Sequence, residues 1–218
     1  SSIGKDKETL WDHIVHCRSG IGPYSTVDSS AIRFKNGAEV KDYDPAAYFE
    51  PKDLDMADRF AQFAIIAARE AVKQSGIEIT PELQQRSAVI CGTSIGGVVA
   101  QEKAYIDLYK ENKTRVHPLS IPRTMPNSAA SLVSMQYGIT GPVFTISTAC
   151  ASSNHAIGNA LASRQTQAVD GRVVDGDQSD VILNGEVHGV HGQASFVRQR
   201  RGTPIVQNKA CLDNHRCG

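Results

Sequence analysis

The sequence carries no excess of either charge: Lys plus Arg number 23, and Asp plus Glu number 23. A balanced chain has no global field to draw it to nucleic acid or to an anionic membrane surface, so neither partner is expected. Long apolar runs are missing too. The longest, such as Phe63-Ala64-Ile65-Ile66-Ala67-Ala68, fall far short of the roughly 20 residues a membrane span needs. No signal-peptide pattern opens the chain. The five cysteines, at 17, 91, 150, 211 and 217, form no CxxC pair and no regular framework. That argues against a disulfide scaffold and fits a reducing cytoplasm. Cys211, His215 and Cys217 lack a fourth spaced ligand for zinc. The aspartates between Ser163 and Gln178 are not spaced as a calcium loop. No metal or other cofactor is expected.

What is present is an ordinary globular composition, 40% apolar and 21% charged over 218 residues, enough for one sizeable core. Asp6 is placed to cap a first helix with Leu10, Trp11, Ile14 and Val15 on one face, ending at Ser19-Gly20. Residues 21–52 are rich in Gly, Pro, Ser and Asp and read as a long loop region. The clearest helix runs from Asp53 to Ser75. Met56, Phe60, Phe63, Ala67 and Ala71 make its stripe, acids crowd its start, and Gly76 stops it. Ser87–Gly92 reads as a short buried strand, and Gly96-Gly97 leads into a helix through Lys110. Pro126–Tyr137 is predicted helical, with Gly138 after its end. Asp180–Leu183 reads as a further buried strand. Alternating strands and helices imply a layered α/β fold.

The most informative stretch is Thr148-Ala149-Cys150-Ala151-Ser152-Ser153. Before it, Pro142–Thr148 is β-branched and apolar and reads as a fully covered strand. After it, Ala151–Ala162 carries small residues at helical spacing, suited to close packing. Cys150 is therefore predicted at a helix N-terminus, where unpaired N–H groups and the helix dipole favour a thiolate. On the local sequence alone, such a cysteine is more often a small buried hydrophobe.

Context shifts that balance. Ser147–Gly158 resembles the nucleophile segment of the β-ketoacyl-ACP synthases, the condensing enzymes of fatty-acid and polyketide synthesis. Further similar stretches precede it in the family's order: Ile14–Gly22, Asp58–Ala64, Cys91–Gly97 and Ile121–Asn127. The resemblance runs from about residue 1 to Ala162 and is patchy beyond. It implies a thiolase-like fold, of which this chain resembles the N-terminal half, with layers ordered α-β-α. The family's first strand and its C-terminal half are unmatched, which reads as a fragment or a partial gene model. Residues 1–187 are expected to form the synthase N-terminal domain, and 188–218 a divergent segment.

The resemblance also assigns roles. Cys150 would hold an acyl group as a thioester, because thiolates attack thioesters readily and leave readily. Its backbone N–H would be one of two donors that stabilise the developing oxyanion. Ile95 would line the acyl-chain pocket. The second donor, two histidines and a lysine belong to the unmatched half and have no counterpart here. The implied partners are acyl carrier protein and malonyl-ACP, with a homodimer or a heterodimer with a full synthase. His188-Gly189-Val190-His191-Gly192 lacks the Thr-Gly-Thr of the family's histidine motif and reads as an exposed loop, and His155 as a packing residue. Ser163–Gln178 is longer than the family's turn, and its Asp-Gly pairs predict a small hairpin. Two alternatives remain open, a non-catalytic thiolase-fold partner subunit and an inactive remnant. Chain-length-factor-like partners replace the nucleophile, often with Gln, so an intact Cys150 counts against the first, while the unmatched histidine half counts for it.

Overall fold

The structure, a computed structural model, describes residues 1–169, 182–188 and 191–197, with side chains described through residue 162. Helix α1 (Lys7–Val15) is followed by two paired dipeptide strands, β1 (Gly22–Pro23) and β2 (Asn36–Gly37). Then come α2 (Pro51–Met56), α3 (Arg59–Ser75), α4 (Pro81–Arg86) and β3 (Ala88–Gly92). Next are α5 (Val98–Tyr105), α6 (Ser120–Thr124), α7 (Ser128–Tyr137), β4 (Val143–Ile146) and α8 (Ser152–Val169). Strands β5 (Ile182–His188) and β6 (His191–Val197) follow, and besides these elements there are a 3-10 turn at Pro45–Ala47 and a π-helical turn, Ile106–Lys110, that continues α5.

The main sheet has the order β4-β3-β5-β6. β3 pairs in parallel with β4, Ile90 opposite Phe144 and Gly92 opposite Ile146. It pairs in parallel with β5 on its other side, while β5 and β6 run antiparallel. A strand alternates its side chains between two faces, and β3 shows it. Val89 and Cys91 enter one buried cluster with Phe60, Ala61, Ala64, Ala68, Ala129, Ala130 and Val133. Ile90 enters another with Ala156 and Ala160. So α3 and α7 cover one face of the sheet and α8 the other. Alanines along α3 and α7 let the two helices lie close. Both helices end on a left-handed glycine, Gly76 and Gly138, each at φ 65°, a conformation glycine adopts without a β-carbon penalty.

Several expectations are corrected. The helix expected over Asp53–Ser75 is broken at Ala57-Asp58, where both residues are extended. Asp58 is 3% exposed. One carboxylate oxygen caps α3 by accepting the Phe60 N–H at 3.3 Å, and the other accepts the Ala100 N–H at 2.6 Å. Two helix starts thus share one side chain, and the chain bends to let them. The buried face of α3 is accordingly turned to Phe60, Ala61, Ala64, Ile65, Ala68 and Ala71, and Met56 is exposed. Asp6 does cap α1, accepting the Thr9 N–H at 2.8 Å, but the helix ends at Val15, and Trp11, Ile14 and Val15 stay exposed.

The strand before Cys150 is not fully covered either: β4 lies at the sheet edge and its Phe144 is exposed. His188 and His191 close the β5–β6 ladder as a facing pair instead of lying in an open loop. Helix α8 runs on to Val169, taking in the start of the segment read as an insertion. The predicted Asp-Gly hairpin and the Cys211, His215 and Cys217 cluster lie outside the described residues.

Candidate active site

Between β4 and α8 the chain makes a tight elbow. Ala149 sits at φ 50°, a left-handed conformation costing a residue with a β-carbon about 1–2 kcal/mol. Local bonds hold it there. The Ala151 N–H donates to the Thr148 carbonyl at 3.1 Å and the Ser152 N–H to the Ala149 carbonyl at 3.2 Å. The Ser152 hydroxyl accepts the Thr148 N–H at 2.9 Å and donates to the Ala149 carbonyl at 2.7 Å. Cys150 stands at the crest, exposed to solvent and unpaired with any other sulfur. It precedes the first residue of α8 by two positions, as the sequence predicts.

The elbow is pressed onto β3. A β-carbon on Gly92 would lie 2.5 Å from the carbonyl carbon and oxygen of Ser152 and 2.7 Å from the Ser153 nitrogen. Only glycine admits this approach. Beyond Gly92 the loop turns on Thr93, whose hydroxyl donates to the Ile95 carbonyl at 2.7 Å. The Ser147 hydroxyl reaches the Ser94 carbonyl at 3.4 Å, tying this loop to the approach of the elbow. Ile95 projects from the loop half exposed, at 50%.

Gly96 and Gly97 press on the next matched stretch. Added β-carbons would meet the Thr124 and Arg123 carbonyl oxygens at 2.1 and 2.0 Å, and the Gly97 N–H donates to the Thr124 carbonyl at 3.1 Å. Asp58 closes the set through Ala100. Four of the five sequence stretches that carry the resemblance are therefore joined through Cys91–Gly97, the stretch that abuts the elbow. The fifth, Ile14–Gly22, is elsewhere, with Gly20 against Ser2 and Ile3.

The cysteines are sharply distinguished by their surroundings. Cys91 is buried, and desolvation pushes its thiol up to about 12, so it stays protonated at neutral pH. Cys17 and Cys150 are exposed. His155 lies one turn into α8, exposed, its N–H donating to the Ala151 carbonyl at 3.0 Å. Among the described residues no cluster of His, Cys, Asp and Glu is placed to hold a metal, and no helix is long and apolar enough to cross a membrane. Ser152, Gly92 and Asp58 were legible only as members of motifs. A hydroxyl two residues after the cysteine, in the first turn of the following helix, is the signal that points to Ser152.

A mixed sheet covered by helices on both faces, with a strand–elbow–helix unit at its edge, is a thiolase-like layered α/β arrangement. Solved structures share it: the ishigamide ketosynthase/chain length factor superposes with a TM-score of 0.70 at 24% identity, over 85% of this chain and 44% of that one. A type II polyketide-synthase acyl-carrier protein in complex with its ketosynthase, AntDE:AntF, gives 0.61 at 18%, over 86% and 47%. In sequence, 3-oxoacyl-[acyl-carrier-protein] synthase 2 of Coxiella burnetii is 33% identical over 178 residues, 82% of this chain and 43% of the relative. The family described as "Beta-ketoacyl synthase, N-terminal domain" matches residues 1–199. The chain belongs to the β-ketoacyl synthase family, and it spans less than half the length of the relatives it matches.

Proposed function

We propose that this chain is the nucleophile-bearing part of a condensing enzyme. Cys150 takes an acyl group from acyl carrier protein, and the acyl-enzyme then condenses with malonyl-ACP, with loss of carbon dioxide, in fatty-acid or polyketide synthesis. The observation that carries this reading is the elbow itself. It holds one exposed cysteine at the mouth of a helix, while Cys91, the cysteine of β3, is sealed in the core. In the acylation step the Cys150 sulfur bonds to the thioester carbonyl carbon and the carbonyl pair moves to oxygen. Collapse of the adduct expels the carrier thiolate, which takes up the proton lost by Cys150. The Cys150 N–H is the donor this chain offers to the developing oxyanion. Ile95, exposed on the loop that Ser147 tethers, lines the acyl-chain site.

Assembly follows the same surface. Ile121, Met135 and Phe144 are exposed apolar residues on the matched stretch, on α7 and on the edge strand, and they fit a homodimer or a pairing with a full synthase. That the ishigamide structure couples a ketosynthase with a chain length factor supports a two-subunit setting. A reducing cytoplasm suits an unpaired catalytic thiol.

Mass spectrometry after brief exposure to iodoacetamide tests the nucleophile. Cys150 is expected to be alkylated ahead of Cys17, with Cys91 unlabelled. Labelling of Cys150 no faster than Cys17 would sink the assignment. A condensation assay with acyl- and malonyl-ACP on the same sample separates acyl acceptance from the full reaction.

A further inference from the structure

A peptide unit is planar, with its carbonyl and its N–H pointing in opposite directions. The unit joining Ala149 to Cys150 carries the Ala149 carbonyl at one end and the Cys150 N–H at the other. Whatever fixes the first fixes the second. Two donors from one residue converge on that carbonyl, the Ser152 hydroxyl at 2.7 Å and the Ser152 N–H at 3.2 Å. The hydroxyl is itself oriented by the Thr148 N–H at 2.9 Å, and a hydroxyl that accepts one bond donates the next more strongly. Ser152 is 0% exposed, so water does not compete for these bonds. The strained Ala149 directly before Cys150 needs such a restraint to stay in place.

We propose that Ser152 is the positioning residue of the oxyanion donor: its hydroxyl clamps the Ala149–Cys150 peptide and so aims the Cys150 N–H at the acyl carbonyl oxygen. This rests on the reading of Cys150 as acyl acceptor. It separates two reactions of one sulfur. Acylation by a thioester builds negative charge on oxygen and depends on the aimed N–H. Alkylation by iodoacetamide displaces iodide, builds no oxyanion and depends only on the thiolate.

Both rates are measured at Cys150 by mass spectrometry in the full 218-residue chain, using the N-acetylcysteamine thioester of a fatty acid and iodoacetamide. Losing one oxyanion donor outright costs about 10²–10³ in rate. Misaiming it through Ser152→Ala is expected to slow acylation at least about 10-fold, with alkylation changed less than about 3-fold. Ser152→Thr restores acylation, and Ser152→Val, of the same shape without the hydroxyl, does not. The Thr and Val pair decides the matter if the alanine variant loses its circular dichroism. Equal falls in both rates, or no fall in either, overturn the proposal. An unsubstituted chain whose Cys150 is acylated no faster than Cys17 overturns the nucleophile reading and this proposal with it, and that failure shows before any substitution is made.

Discussion

Replacing Gly92 by alanine is the sharpest probe of how the elbow is held. Gly92 does not use a left-handed conformation, since Gly76 and Gly138 are the glycines with positive φ among the described residues. The constraint is therefore one of space alone. The added methyl would sit 2.5 Å from the Ser152 carbonyl carbon and oxygen, against roughly 3.5 Å for ordinary contact. Backbone atoms cannot swing aside as a side chain can, so α8 and β3 must part by about 1 Å. Overpacking of this kind costs about 1–3 kcal/mol. At roughly 2–4 °C per kcal/mol for a chain of this size, the melting temperature should fall by about 2–12 °C. The same shift carries Cys150 with it, and a misplacement near 1 Å is expected to slow its acylation more than about 10-fold. Calorimetry and thioester labelling read the two effects. A variant that melts within about 1 °C of the parent and is acylated at the parent rate would refute the reasoning, because the elbow would then have room to spare.

Two further outcomes follow from buried carboxylates. Glu39 accepts the Ser25 N–H and hydroxyl at 2.7 and 2.9 Å, the Thr26 N–H at 3.0 Å, and the Thr26 hydroxyl. The Thr26 hydroxyl foremost, and then these other donors, hold its carboxyl down to about 2 from the ordinary 4.5. A depressed folded-state value stabilises the fold above the unfolded value and loses that contribution as pH falls through the folded one. Glu39→Gln should therefore be less stable than the parent at neutral pH, with the gap narrowing from about pH 4.5 towards 2; a gap that does not vary with pH in urea titrations would count against this. Asp58→Ala removes the cap of α3 and strands the Ala100 N–H, for a loss of about 2–4 kcal/mol. Asp58→Asn should keep only one of the two bonds, because its amide oxygen accepts one N–H while its NH2 group faces the other, and so should fall between the parent and the alanine variant; a urea midpoint for the alanine variant near the parent's would show that neither bond matters.

Features that depend on neighbours in sequence were the legible ones. The turn at Thr148–Ser153, the strand ending at Gly92 and the glycine stops at 76 and 138 all follow from residues a few positions apart. The break before α3 was not legible, because Asp58 leaves the helix to reach Ala100, 42 residues away. The apolar stripe through Met56 and Phe63 misled for the same reason, since periodicity alone cannot register a bend imposed from outside. Phe144 was misjudged because an apolar strand looks the same at the centre of a sheet as at its edge. At the site, the cysteine stood out by its setting. The small residues that hold it did not, since a serine at the start of a helix and a glycine at the end of a strand are common and acquire meaning only when brought into contact.

Among the described side chains, the two faces of the sheet carry unequal buried clusters. Behind β3, phenylalanines and aliphatic side chains of several elements interlock around α3 and α7. On the side of α8 the buried cluster among the described side chains is Ile90 with Ala156 and Ala160, and the partly buried Ala88 and Ile146 pack against it; the two alanines offer little surface of their own. Parts of a fold with few buried apolar contacts open at lower free energy than the rest. In hydrogen exchange the amides of α8 should thus be lost to deuterium before those of α3. The start of the helix behind Cys150 is expected to open before α3 on this packing, so heat or mild denaturant should disarm the elbow while most of the helical signal survives.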